Sequence, residues 1–205
     1  MVQVLQRNFA ALKRDKTSKM KLLIFNGEPG GYAGRTSAKL TAYIVRSAQL
    51  AGIETEVLNV GTLGLPFFDF SHRHTPEAVM HMVSRFKAAT HQIWLTPLYH
   101  GSMTGMMKNA LDWLEVTAQD EPAYLTNQFA GMICWADGGH ALNGITAMEN
   151  VAKSLRAWVL PFSIPAMQRL LIDEHGMLSD EYARKIDLMV SMLMNTPAPQ
   201  PTVHL

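Results

Sequence analysis

Short apolar runs alternate with longer segments of helical period through the middle of the chain. Each apolar run ends in a cluster of glycine, proline or other turn residues, which is typical of a buried β-strand. The pattern predicts five strands, at residues 21–26, 54–60, 92–96, 129–135 and 158–164. It predicts helices between and after them at residues 36–51, 76–89, 145–156 and 179–194. This alternation indicates an α/β fold, a doubly wound five-stranded parallel sheet with helices on both faces.

The same pattern sets the expected domain boundaries. Residues 21–194 contain no linker and no internal repeat, so they are predicted to form one domain. Residues 1–20 carry mostly basic charges and are predicted to be an N-terminal arm, and residues 195–205 a proline-containing tail without structure of its own. Ser179 is predicted as the N-cap of the last helix, with Glu181 in its first turn.

Composition narrows the class of protein. With 205 residues the chain has the length of about one domain, and its net charge of +1 does not suit a nucleic-acid binder with a basic face. No apolar run reaches the ~18 residues of a membrane span. Because 48% of the residues are hydrophobic and only 17% are charged, we expect part of the surface to be buried against another subunit.

Cysteine and histidine usage bounds the redox and metal chemistry. The single cysteine, Cys134, excludes an internal disulfide and a cysteine-rich zinc site, and it fits a reducing compartment such as the cytoplasm. Cys134 alternates with apolar neighbours on a predicted strand, so an inert thiol is expected. No His or Cys cluster has the spacing of metal ligands, and no metal is predicted.

Three loops at the ends of predicted strands carry the candidate chemistry, at residues 27–35, 97–102 and 136–143. Open parallel sheets bind ligands at the carboxyl ends of their strands. The first loop is rich in glycine and delivers Arg35, Thr36 and Ser37 to a helix start, which suits a phosphate group. An ordinary glycine-rich turn with Thr36 or Ser37 as the helix cap is the alternative.

The second loop and its flanks contain the longest motif. Residues 96–114 read TPLYHGSMTGMMKNALDWL. This segment resembles the hallmark of the NADPH-dependent FMN reductase family, in which a strand ends in Pro-x-Tyr and leads through Ser and Gly into Lys-Asn-Ala-Leu-Asp. Residues 65–69 (LPFFD) and 137–140 (DGGH) are also similar to that family. The first loop departs from it, since Glu28 and Pro29 replace the usual Ser-x-Arg start.

The resemblance implies a flavodoxin-like fold, a homodimer or homotetramer, and FMN as cofactor. It implies that Arg35, Thr36 and Ser37 bind the FMN phosphate and that the second and third loops line the flavin ring. The ring-lining residues would be Pro97, Leu98, Tyr99, His100, Gly101, Ser102, Asp137, Gly138 and Gly139.

The activity implied is an NAD(P)H-dependent FMN oxidoreductase. A hydride would pass from NADPH or NADH to FMN. The reduced FMN would then pass reducing equivalents to a quinone, an azo compound, a metal oxyanion or a second flavin. No catalytic side chain is expected, because the flavin carries the chemistry. The alternative is a flavodoxin-type carrier, which holds FMN and exchanges electrons with protein partners; the near-neutral charge and the longer first loop favour the enzyme.

Several polar and aromatic residues have two interpretations each. His72, Arg73 and His74 could bind the extra phosphate of NADPH or form a solvated loop. Lys108 and Asp112 are four residues apart and are expected to pair along a helix or across a subunit contact. Four aromatic residues could frame an acceptor pocket or a subunit interface: Phe67, Phe68, Phe70 and Trp113.

Overall fold

The computed structural model describes residues 20–30, 36–69, 71 and 74–196. Its strands are β1 (Lys21–Asn26), β2 (Glu54–Asn59), β3 (His91–Pro97), β4 (Phe129–Ala136), β5 (Trp158–Val159) and β6 (Ile164–Met167). Its α-helices are α1 (Thr36–Leu50), α2 (Glu77–Ala88), α3 (Gly105–Asp112), α4 (Ala141–Ser154), α5 (Gln168–Leu171) and α6 (Asp180–Met194). Short 3-10 helices follow β2 and α3, at Val60–Thr62 and Trp113–Thr117.

Several sequence predictions fall on residues outside this description. Nearly all of the N-terminal arm, the tail from residue 197 onward, and Arg35, Phe70, His72 and Arg73 lie there. Among the described residues, no helix combines the length and the apolar character that crossing a bilayer requires.

The strands form one parallel sheet in the order β2-β1-β3-β4-β5, and β6 also pairs with β4. Apolar residues from α2, α3 and α4 fill one face, where Phe86 packs edge-on against Phe25 of β1 at 5.0 Å between ring centroids. Ile44 of α1 and Ile186 of α6 belong to the apolar cluster on the other face. The doubly wound sheet predicted from the sequence is confirmed.

The prediction of one continuous fifth strand is wrong. Residues 158–164 are divided into β5 and β6, which both pair with β4. Ala130 lies opposite Val159 and Ile133 lies opposite Ile164, so two residues of β4 face four residues of the other segment. Pro161 lies in this excursion and has no N–H to donate to a neighbouring strand, which explains why the ladder is interrupted there.

One helix starts earlier than predicted, and one predicted N-cap makes a different hydrogen bond. Helix α4 begins at Ala141 rather than at residue 145, because its first turn already packs inward: Ala141 and Gly144 are buried. Ser179 does occupy the N-cap position of α6, as predicted, but its hydroxyl makes no capping bond. It donates instead to the carbonyl of Leu170 at 2.8 Å, which joins the start of α6 to the short helix α5.

A buried chain of hydrogen bonds ties α2 to the middle of the sheet. Gln92, on β3, is fully buried, accepts from the indole N–H of Trp94 at 2.6 Å and donates to the side chain of Gln128. Gln128 in turn donates to the carbonyl of Phe86 at 3.0 Å. Each polar group therefore has a partner, as burial requires.

His91 joins the end of the last helix to the sheet. Its ring lies 2.8 Å from the Thr90 hydroxyl and 2.7 Å from the Thr196 hydroxyl, and it stacks on Phe129 with 5.4 Å between centroids. Burial lowers the pKa of His91 from 6.5 to about 4, because the charged imidazolium loses its hydration there. The imidazole is therefore neutral in the folded protein near neutral pH.

We expect the protein to lose stability as the pH falls from about 6.5 to about 4, because the unfolded chain takes up a proton at His91 that the folded protein excludes. The loss should reach up to about 3 kcal/mol. Urea unfolding at a series of pH values should show a flatter profile for His91→Gln in this window. His175→Gln, at an exposed histidine, is the matched control substitution. Equal pH dependence in the parent and His91→Gln would contradict the assignment.

Candidate functional site

The three candidate loops leave the sheet at one edge. β1, β3 and β4 are neighbours, and their parallel direction brings all three carboxyl ends together. Two backbone bonds continue the ladder beyond the strands: Gly27 N–H donates to the carbonyl of Leu95 at 2.7 Å, and Leu98 N–H to that of Trp135 at 2.8 Å. The strand order reverses between β1 and β3, which is where open α/β sheets place their ligands.

The second loop is a tight, rigid turn. Tyr99 and Ser102 exchange two backbone hydrogen bonds of 3.0 Å each. The two residues between them, His100 and Gly101, have positive φ angles of 50° and 81°. This conformation is the one that joins two extended segments through two residues. Tyr99 is left with 48% of its surface exposed above the edge of the sheet.

Thr104 connects the first loop to the second. Its hydroxyl donates to the carbonyl of Gly27 at 2.5 Å and accepts from Met107 N–H at 3.1 Å, so it caps α3 and fastens it to the end of β1. Its own N–H points to the Thr96 hydroxyl at 3.4 Å. Thr104 is 1% exposed, so no water competes for these bonds.

The first loop starts from two asparagines at neighbouring strand ends. Asn26 donates from its amide to Asn59 at 2.9 Å and accepts from Glu28 N–H at 3.1 Å. The predicted phosphate-binding hydroxyls of Thr36 and Ser37 lie in the first turn of α1, half-buried and buried respectively. Arg35, directly before them, lies outside the described residues.

Gly61 allows the first loop to approach the turn after β2. A Cβ built on Gly61 would lie 2.7 Å from the carbonyl oxygen of Pro29 and 2.8 Å from its carbonyl carbon. Both atoms are backbone, so they cannot move aside as a flexible side chain does. The position therefore has room for glycine only, a requirement that the sequence pattern alone does not show.

The third loop, with Asp137, Gly138 and Gly139, is exposed beside the second. Nothing lies within 4 Å of a Cβ built on either glycine, and the same holds for Gly101 in the second loop. Open space over three glycines lets a flat ligand approach the backbone closely. The structure thus brings the described members of the predicted site together at one edge of the sheet.

A cleft of about 440 Å³ opens beside these loops. The polar side chains among its described lining residues are Tyr99, Thr104 and Asn109, and Gly105 contributes only backbone. The other lining residues are apolar: Pro29, Val60, Leu65, Phe67 and Met106. Sequence reasoning named Phe67 and Tyr99 but missed Thr104 and Asn109, whose partners lie far away along the chain.

Cys134 and the pair of Lys108 and Asp112, all near the site, have structural roles. Burial raises the pKa of the Cys134 thiol to about 12, so it stays protonated and unreactive at neutral pH. Lys108 pairs with Asp112 along α3, which confirms the predicted pairing within a helix. Among the described residues, no three His, Cys, Asp or Glu side chains are grouped as metal ligands.

Comparison with known proteins shows the family. The family model of the NADPH-dependent FMN reductases matches residues 20–169, most of the chain. The chain belongs to this family. The matched segment contains all three loops and the apolar cleft.

Two curated relatives are similar over most of the chain. The NADPH-dependent FMN reductase ArsH of Acidithiobacillus ferrooxidans is 25% identical over 191 residues, which cover 91% of this chain and 77% of the relative. An NADPH azoreductase of a Bacillus species is 30% identical over 147 residues, covering 71% of this chain and 74% of the relative.

Solved structures share the fold. The flavoenzyme NAD(P)H:acceptor oxidoreductase FerB of Paracoccus denitrificans superposes with a TM-score of 0.68 at 20% identity, over 86% of this chain and 96% of that one. An FMN-dependent NADH-azoreductase of Bacillus anthracis, solved with FMN, has a TM-score of 0.64 at 15% identity, over 86% of this chain and all of that one.

The family member described here is therefore an NAD(P)H-dependent flavin oxidoreductase that uses FMN. Its own residues fit that cofactor. Helix α1 starts with two hydroxyl side chains at the end of a glycine-rich loop, and three glycines leave open space where a flat ring could lie against the backbone. Family membership also favours the enzyme over the flavodoxin-type carrier.

Gly61→Ala tests the close approach of the first loop. The added methyl group should push the Pro29 backbone away and weaken FMN binding by about tenfold, the cost of a modest steric conflict. Quenching of flavin fluorescence on titration measures the dissociation constant. Thr62→Ala, at the exposed neighbour, serves as the control, and unchanged FMN affinity in Gly61→Ala would show that the first loop tolerates displacement.

Proposed function

We propose that the enzyme transfers reducing equivalents from NADPH or NADH to a flat aromatic acceptor, a quinone or an azo compound. The apolar cleft beside the three loops carries this proposal. Its aromatic and aliphatic walls suit an uncharged planar molecule, which gains free energy when it leaves water. The azoreductase relative supports the same class of acceptor.

The other acceptors considered fit the cleft less well. A metal oxyanion needs cationic or strongly donating groups, and the described lining contains no lysine, arginine or histidine. A second flavin is flat and aromatic, but it also carries a polar ribityl phosphate. Among the described lining residues the polar side chains are Tyr99, Thr104 and Asn109, and none of them is a cation. A quinone or an azo compound requires neither a cationic group nor a phosphate-binding group.

The cofactor-binding residues are part of the proposal. Arg35, Thr36 and Ser37 would hold the FMN phosphate, with Ser37 buried in the first helical turn. The turn at residues 97–102 and the loop at residues 137–139 would lie along the flavin ring. FMN, when bound, accepts a hydride from reduced nicotinamide and gives two electrons to the acceptor, which also takes up two protons.

The protein's contribution would be binding, orientation and exclusion of water. Backbone N–H groups and the rigid turn between Tyr99 and Ser102 would orient the ring, and no side chain is assigned as acid or base. Tyr99 and Phe67 would shield one side of the cleft. His74 is exposed and is the one described member of the three residues considered for the NADPH phosphate.

The proposal also includes the oligomeric state of the enzyme and its cellular compartment. We expect a homodimer or homotetramer, because the exposed apolar surface of Phe67, Tyr99 and Met106 at the mouth of the cleft could be covered partly by a second subunit. The cytoplasm is proposed from the single buried cysteine, which suits a reducing compartment.

Arg35→Ala should weaken FMN binding by roughly ten- to a hundred-fold, since charge-assisted contacts to phosphate are worth ~1.5 to 3 kcal/mol. Riboflavin, which lacks the phosphate, is the matched ligand and should bind the parent and the variant equally. Flavin fluorescence quenching measures both affinities. If Arg35→Ala binds FMN as the parent does, the phosphate site consists of hydroxyls and backbone amides without Arg35.

We expect the nicotinamide donor and the acceptor to bind in the same cleft one after the other. Such alternating use of one site requires ping-pong kinetics. Initial rates with NADPH and 2-methyl-1,4-naphthoquinone, measured at several fixed quinone concentrations, should give parallel double-reciprocal lines. Chromate, offered as the oxyanion, should be reduced with a kcat/KM at least about tenfold lower than the quinone, because the described lining of the cleft contains no cationic side chain. Intersecting lines would refute a shared site, and a preference for chromate would refute the proposed acceptor class.

A further inference from the structure

Asn109 and Phe67 both line the cleft and come from different parts of the chain. Asn109 lies on α3, in the middle of the motif that identifies the family, while Phe67 lies in the segment after β2, 42 residues earlier. The flavin-binding proposal gives Asn109 no role and assigns Phe67 only to the shielding of one side of the cleft. Phe67 is 87% exposed, the largest exposed fraction among the large apolar side chains described.

The Asn109 carboxamide binds the backbone on both sides of Phe67, and this pair of hydrogen bonds forms a bracket around Phe67. Its Nδ2 donates to the carbonyl of Pro66 at 2.9 Å, and its Oδ1 accepts from the N–H of Phe68 at 2.8 Å. One side chain thus binds the backbone on both sides of a single residue. An amide group has a donor and an acceptor side by side, so asparagine is able to make such a two-point contact.

Trp113 reinforces the bracket one turn further along. Its indole N–H donates to the same Pro66 carbonyl at 2.9 Å, and its ring packs edge-on against Phe68 with 5.2 Å between centroids. The backbone on both sides of Phe67 is therefore held at helix α3 and its C-terminal end, whereas Phe67 itself stays largely exposed and lines the cleft.

A single exposed apolar side chain needs no explanation in most proteins. Phe67 differs because three hydrogen bonds from two side chains fix its position, and those bonds constrain the backbone rather than the ring. This arrangement keeps the backbone that carries the Phe67 ring in one place at the rim of the cleft. Ring stacking on a bound aromatic molecule is the interaction that an aromatic side chain placed there can supply.

We propose that Asn109 is a positioning residue, which holds the backbone around Phe67 so that the Phe67 ring forms the outer wall of the acceptor cleft. The inference rests on the proposed function, since it assumes an aromatic acceptor in that cleft. Asn109 acts through Phe67 and touches no reacting atom, so its effect should depend on the presence of the Phe67 ring.

The bracket itself can be tested without cofactor. In the protein without FMN, the amide hydrogen of Phe68 should be protected from exchange, because it is bonded to Asn109. In Asn109→Leu, which keeps the size of the side chain and removes both bonds, this hydrogen should exchange at least about tenfold faster by NMR. Lys108→Met, at the exposed neighbouring position on the same helix, should leave the rate unchanged. A protected Phe68 amide in Asn109→Leu overturns the proposal.

The acceptor role needs a double-mutant cycle on the FMN-loaded enzyme. At saturating NADPH, Asn109→Leu and Phe67→Ala should each raise the KM for 2-methyl-1,4-naphthoquinone by about three- to ten-fold, with a smaller change in kcat. When Phe67 is already alanine, Asn109→Leu should add nothing to the KM. A residue with a merely structural role would give independent effects that multiply, and that result overturns the proposal.

Quinone reduction by the parent enzyme separates a failure of the proposed function from a failure of the positioning role. If the parent enzyme does not reduce the quinone, the proposed function fails and the acceptor role of Phe67 fails with it, while the exchange measurement still decides whether Asn109 holds the segment. If the parent is active and both variants keep the parent KM, the acceptor class stands and the positioning role is refuted.

Discussion

The Thr104 hydroxyl lies where the first loop, the second loop and helix α3 meet, and the geometry of the site depends on its two hydrogen bonds. It donates to the carbonyl of Gly27 at the end of β1 and accepts from Met107 N–H at the start of α3. The sheet alone would place these chain segments near one another, but their relative orientation would be set only by loops. Because Thr104 is buried, breaking either bond leaves an unpaired polar group away from water. Any other arrangement of these segments therefore costs folding free energy.

The sheet fixes the long-range arrangement of the site, and the Thr104 hydroxyl fixes the local orientation of the loops and helix α3. Backbone ladders fix β1, β3 and β4 in register, and bonds such as Leu98 N–H to the carbonyl of Trp135 carry that order into the loops. The tight turn at His100 and Gly101 then leaves little freedom in the second loop. At this edge of the sheet the described loops are held mainly through backbone bonds, and a bound flavin would supply the chemistry itself.

Short-range features of the structure could be predicted from the sequence, whereas contacts between distant parts of the chain could not. Local patterns predicted β1 to the residue and placed the three loops, because strand periodicity and turn residues are short-range properties. The pattern failed at residues 158–164, where an apolar run looks continuous but Pro161 and the register with β4 interrupt the ladder. Gly61, Thr104 and Asn109 could not be assigned roles, since each acts on a partner between 32 and 77 residues away. The motif around Asn109 was visible, but its two-point contact with the segment after β2 was not.

The two sides of the cleft are therefore held by different means. The loops that would hold FMN continue from the central strands of the sheet, and their positions are fixed by backbone bonds. The opposite wall follows β2, the edge strand, and Asn109 and Trp113 bind its backbone through their side chains. Substitutions in that wall can change the shape of the cleft without disturbing the ladder that positions the loops. A fold of this kind can keep one cofactor site while its acceptor site diverges, which is the physical basis on which one family could contain reductases of different acceptors.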